Sequence, residues 1–71
     1  MALSLEDRKF IKSGLPHGSQ TEIANQLGVT RMSINQYLNG KIYSKRIEEA
    51  IIEKYEIEKK HREELRKRIY G

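Results

Sequence analysis

Arg31, Met32, Asn35 and Gln36 lie within one short stretch, and three of them end in planar groups that make paired hydrogen bonds. A guanidinium can donate twice, to guanine O6 and N7, while a carboxamide can donate and accept at adenine N7 and N6. Met32 suits the methyl group of thymine. Thr30 and Ser33, interleaved with them, suit phosphate oxygens or other short polar contacts. Catalytic chemistry has no comparable grouping. The chain has no cysteine, so it offers no thiol nucleophile, thiolate metal site or disulfide. His17 and His61 are isolated, and no His/Asp/Glu set has metal-ligand spacing. No glycine-rich phosphate loop follows a strand pattern. The expectation is a protein that is not an enzyme and that takes no metal, no cofactor and no small-molecule ligand.

The elements that would position these side chains are two short helices. Ser19-Gln20-Thr21-Glu22 reads as a capping box, the Ser19 hydroxyl accepting from the Glu22 amide and the Glu22 carboxylate reaching back. Ile23, Ala24 and Leu27 then form an apolar stripe at helical spacing. Gly28 ends that helix at a turn that favours positive φ. Thr30 caps the next, whose inward residues are Ile34, Tyr37 and Leu38, and Asn39-Gly40 stops it. The spacing predicts helices near 20–27 and 30–38. Joined so tightly they cross steeply, as a helix-turn-helix. With Ile34, Tyr37 and Leu38 inward, Arg31, Met32, Asn35 and Gln36 face outward, toward a major groove. Gln20, at the start of the first helix, sits where amides and dipole attract a phosphate.

This stretch resembles the helix-turn-helix regulators of the phage repressor and Cro class. The resemblance rests on Gln20, Ala24 at the crossing, Gly28 in the turn, buried Ile34, and Asn39-Gly40-Lys41. It implies that Gln20 clamps the DNA backbone and braces Arg31, and that Asn39, the Gly40 amide and Lys41 form a second phosphate clamp. It also implies a sequence-specific, double-stranded DNA-binding transcriptional regulator, a repressor that occupies a palindromic operator as a homodimer. The setting it implies is the cytoplasm of a bacterial cell or phage-infected host. Lys45 and Arg46 either extend the clamp or form a solvated helix turn. Tyr43 is a phosphate donor or a loop anchor, and His17 a solvated loop residue or a phosphate contact.

Composition fits one small all-α domain, a compact bundle of four to five helices. Of 71 residues, 37% are hydrophobic, with no Trp and one Phe, which is too little for a large ligand pocket. No apolar run approaches membrane-spanning length, and nothing resembles a signal peptide. The formal charge is +4, a modest excess that suits an approach to phosphate. Met1 to Leu3 reads as a loose start. Ser4 with Asp7 is a helix entry signal weaker than Ser19, and Leu5, Phe10 and Ile11 are the expected buried side of the first helix. Residues 15–18 form a loop around Pro16. Ser44 caps the last helix, where Ile47, Ala50, Ile51 and Tyr55 close the core.

Beyond Tyr55 the pattern thins into Glu, Lys and Arg. Acidic-first pairs such as Glu56–Lys60, Glu58–Arg62, Glu63–Lys67 and Glu64–Arg68 support a long charged helix. The expected division is a DNA-binding domain over 1–56 and a charged helical extension over 57–71. Ile51, Tyr55, Leu65 and Ile69 lie near one helix face, either as a dimerisation seam or as part of a solvated tail. The alternative function is a helical protein-interaction module, antitoxin- or anti-repressor-like, that works through this C-terminal helix.

Overall fold

Four helices follow one another in the computed structural model, which describes residues 3–71: α1 Leu5–Gly14, α2 Ser19–Leu27, α3 Arg31–Leu38 and α4 Lys45–Tyr70. No strand occurs among the described residues. Ile11, Ile23, Ala24, Ile34, Tyr37, Leu38, Ile47 and Ile51 make the core, and Leu15, Leu27, Val29, Ala50 and Tyr55 pack against it. No helix among the described residues is long and apolar enough to cross a membrane.

The helix starts differ from expectation in an instructive way. Ser4, not Ser19, carries the full capping box: its hydroxyl accepts from the Asp7 amide at 3.1 Å, and the Asp7 carboxylate accepts from the Ser4 amide at 3.4 Å. In α2 the cap is Gly18, held at φ +87°, and no side chain caps it. Ser19 is already helical and buried, with its N–H donated to the Pro16 carbonyl. A serine inside the helix cannot act as its cap, so Glu22 turns instead to Lys54, 2.8 Å away. Thr30 and Ser44 do cap α3 and α4, their hydroxyls accepting from the amides of Ser33 and Ile47.

The inner side of α1 is Ile11 with Arg8, whereas Leu5 and Phe10 are 45% and 67% exposed. Arg8 displaces them because it has a ready set of acceptors. Its guanidinium donates to the carbonyls of Leu3, Tyr37 and Ile42 and lies 4.3 Å over the centre of the Tyr37 ring. A buried charge is tolerated only with such partners. On the far end of the same ring, the Tyr37 hydroxyl donates to the buried Glu48 carboxylate at 2.6 Å, which also accepts from the Leu3 amide. Burial and that hydrogen bond raise the Tyr37 phenol well above its ordinary value of 10.0. Leu3 is therefore tied at both backbone atoms rather than loose; Met1 and Ala2 of the expected loose start lie outside the described residues.

Helix α4 spans 26 residues. At about 1.5 Å rise per residue it is ~39 Å long, which accounts for the 42 Å long axis of the molecule. Its arginines finish the shorter helices: Arg46 donates to the Leu27 carbonyl at the end of α2, and Arg62 to the Gly14 carbonyl at the end of α1. Such cations satisfy the last carbonyls and oppose the helix dipole. The division expected after residue 56 therefore falls inside a continuous helix, and ties to the body persist to Arg62. Only 63–70 project beyond that tie. Among the described residues the ion pairs are Lys54–Glu22 and Lys54–Glu58, and none of the four expected acidic-first pairs closes. Long exposed side chains gain too little from such contacts to hold one geometry.

Candidate nucleic-acid interface

The exposed side of α3 is prepared by what anchors its other side. Ile34, Tyr37 and Leu38 are completely buried, which fixes the rotation of this eight-residue helix. Its approach is set by Gly28 at φ +70°, whose N–H, like that of Val29, returns to the Ala24 carbonyl. Ala24 is buried where α2 meets α3, so its small side chain lets the backbones come close. Thr30 then holds the first turn, with Ser33 Oγ 3.0 Å from its hydroxyl. Both hydroxyls are thus partly engaged in capping, and one proton remains between them for an outside acceptor.

On the outward side, Arg31 and Met32 are exposed, Met32 by 70%, while Asn35 and Gln36 are half-buried. Arg31, Met32 and Asn35 line one shallow depression of about 380 Å³. Asn35 is steadied by a relay: its side-chain oxygen accepts from Asn39 Nδ2 at 2.9 Å, and Asn39 Oδ1 accepts from Lys12 Nζ at 3.4 Å. The Asn35 NH₂ group keeps its donors free. Nothing in the sequence pattern marked Lys12 for this place, since the relay exists only once α1 lies against the end of α3.

No family model, curated protein or solved structure matches this chain. Two residues of the expected phosphate clamps depart from expectation. The Gly40 N–H is already donated to the Tyr37 carbonyl, and the Lys41 N–H to the Gln36 carbonyl, so the Gly40 amide has nothing left for a phosphate. Gly40 takes φ +78° instead to turn the chain, and a Cβ there would come within 2.8 Å of Leu5. The Lys41 side chain is exposed and remains available. Gln20 makes no hydrogen bond to Arg31; its side-chain oxygen is enclosed without a partner. The expected brace on Arg31 is absent.

Gln20 and Arg31 instead share a cleft of about 450 Å³ with Lys12 and His17. Three elements supply its cationic and polar groups: the end of α1, the loop before α2, and the start of α3. Toward the other end of α3 lie Asn39 and exposed Lys41. Arg46 is committed to the Leu27 carbonyl, while Lys45 is exposed. Tyr43 leans on the buried anchor, 6.3 Å from the Tyr37 ring and 5.9 Å from the Arg8 guanidinium, and is 54% exposed. His61 is solvent-exposed on α4. The arrangement offers paired hydrogen bonding and one apolar contact along α3, with cations toward both ends.

Proposed function

We propose that α2 and α3 work as a helix-turn-helix and that this chain is a sequence-specific DNA-binding transcriptional regulator of the phage repressor and Cro kind. It represses by occupying a palindromic operator as a homodimer. The observation that carries this reading is the outward row Arg31, Met32, Asn35 and Gln36 on a helix whose rotation is locked by three fully buried residues. In this reading α3 enters the major groove, Arg31 reads guanine, Asn35 or Gln36 reads adenine, and Met32 packs on a thymine methyl. His17 and Gln20 face phosphates near the start of α3; Lys12, Asn39 and Lys41 face them near its end. Thr30 and Ser33 supply short polar contacts.

Selection of bound duplexes from a random library near physiological salt tests the reading. The expected product is an inverted repeat with half-sites roughly 34 Å apart. Binding without enrichment, steeply dependent on salt, would reduce the protein to a nonspecific phosphate binder and overturn it. A second reading, a helical protein-interaction module, draws on Leu65, Ile69 and Tyr70, which are 41%, 70% and 81% exposed. It requires activity in cells to survive Arg31→Ala with Gln36→Ala and to be lost when Leu65 and Ile69 are replaced.

A further inference from the structure

The homodimer named above has no geometry until its contact surface is found, and Ile51 cannot serve. That residue is completely buried in the core of its own chain. Two other features of the surface remain unsatisfied and are complementary. One is the projecting end of α4, where Leu65 and Ile69 are exposed among Arg66, Lys67 and Arg68. The other is a groove of about 410 Å³ between α2 and α4. Leu27, Ala50 and Ile57 give it apolar walls, Ile57 being 56% exposed, and Glu22 and Glu53 stand at its edge. Lys54, in the same groove, is already neutralised by Glu22 and Glu58.

The charge along α4 sets the direction of pairing. Residues 45–58 carry three basic and five acidic side chains, and residues 59–71 carry six basic and two acidic ones. Two such helices repel when parallel and attract when antiparallel. Area points the same way. Tip-to-tip contact would cover only Leu65, Ile69 and the Tyr70 ring on each chain, far below the ~800 Å² per partner of a stable interface. Reciprocal exchange covers a tail and a groove on both copies.

We infer that a second copy of this chain is the occupant: the 63–70 segment of each protomer lies in the α2–α4 groove of the other, with the α4 helices antiparallel. The inference rests on the homodimer of the proposed function and gives it a contact surface. Groove positions 50–57 opposite tail positions 65–69 put the two-fold axis near Lys60. Measured from buried Ile51, the two bodies are then about 27 Å apart along the helix direction, and about 29 Å apart once the perpendicular interaxial offset of ~8–10 Å is included. That is the scale of the ~34 Å between operator half-sites.

A chain without cysteine makes the test direct. Positions 53 and 69 are ~24 Å apart on one helix, and a disulfide spans no more than about 7 Å between Cα atoms. Any bridge in the full chain carrying Glu53→Cys and Ile69→Cys is therefore between copies. The expected result is a covalent dimer of the double variant on mild oxidation, with Ile69→Cys alone remaining uncrosslinked. Sedimentation should give twice the chain mass for the unmodified protein. Leu65→Glu with Ile69→Glu, both at exposed sites, should return it to a monomer of unchanged helicity. A unmodified protein that stays monomeric at every concentration, or efficient self-bridging of Ile69→Cys, would overturn the exchange. DNA separates the two ideas. Loss of the dimer with retained, Arg31-dependent binding to one half-site removes only the pairing. An intact dimer that enriches no sequence removes only the regulator.

Discussion

Replacing Tyr37 by phenylalanine isolates one oxygen atom in the middle of the molecule. The ring stays, so the core keeps its shape and Arg8 keeps its stacking partner 4.3 Å away. What goes is the 2.6 Å donor to Glu48, leaving a buried carboxylate with the Leu3 amide as its remaining partner. Stranding a buried hydrogen-bonding group costs about 1–3 kcal/mol, with charged groups at the upper end. We take ~2 kcal/mol; with a melting entropy of about 2.1 cal/mol/K per residue, it lowers the melting temperature by roughly 13 °C. Thermal denaturation followed by circular dichroism measures this directly. Glu48→Gln keeps an acceptor of the same shape while removing the buried charge, and should stay within about 1 kcal/mol of the parent. If Tyr37→Phe melts within about 3 °C of the parent, the Tyr37–Glu48 bond is not a stabilising link and the reasoning fails.

The same phenol gives a pH signature. Its folded-state pKa is raised above the ordinary 10.0, so its contribution is complete below pH 10 and is lost as pH rises further. At pH 11 the loss should approach about 1.4 kcal/mol in urea denaturation and be absent in Tyr37→Phe. Lys54, raised chiefly by its hydrogen bond to Glu22, acts in the same direction at still higher pH. Arg31→Ala with Gln36→Ala should weaken specific binding by at least about 30-fold in a titration against the selected operator, with melting unchanged. Lys41→Ala should weaken all duplexes alike and reduce the salt slope by about one. Gly28→Ala meets open space but must hold φ +70°, so denaturant midpoints should report about 1 kcal/mol of destabilisation.

Much of the helical frame was legible because single residues dictate it. Gly28 tolerates the positive φ a helix end needs, Thr30 and Ser44 bring hydroxyls that accept from first-turn amides, and Ile34, Tyr37 and Leu38 share one face at helical spacing. The exchange between Ser4 and Ser19 was not legible. Both are followed by an acid three residues on, and what separates them is the conformation arriving from upstream. Gly18 at φ +87° carries the chain into α2 one residue early. Burial of Arg8 and Glu48 escaped for another reason. A hydrophobic pattern assigns charges to solvent, and only three-dimensional proximity reveals the carbonyls and the tyrosine that receive them. At the candidate interface the outward row on α3 followed from the inward one. The unavailability of the Gly40 amide, the unbraced Gln20 and the contribution of Lys12 depend on hydrogen bonds between segments distant in sequence.

Helix α4 packs against each of the other three helices, whereas α1 and α2 meet only through α3 and α4. With Arg46 and Arg62 tied to the ends of α2 and α1, lifting α4 breaks both ties and strips Ile47 and Ile51 from the core that the other three helices share. The molecule then has few ways to open in part. Amides between Ile47 and Ile51 should exchange with solvent only when the whole chain unfolds, and their exchange rates give the global stability without denaturant.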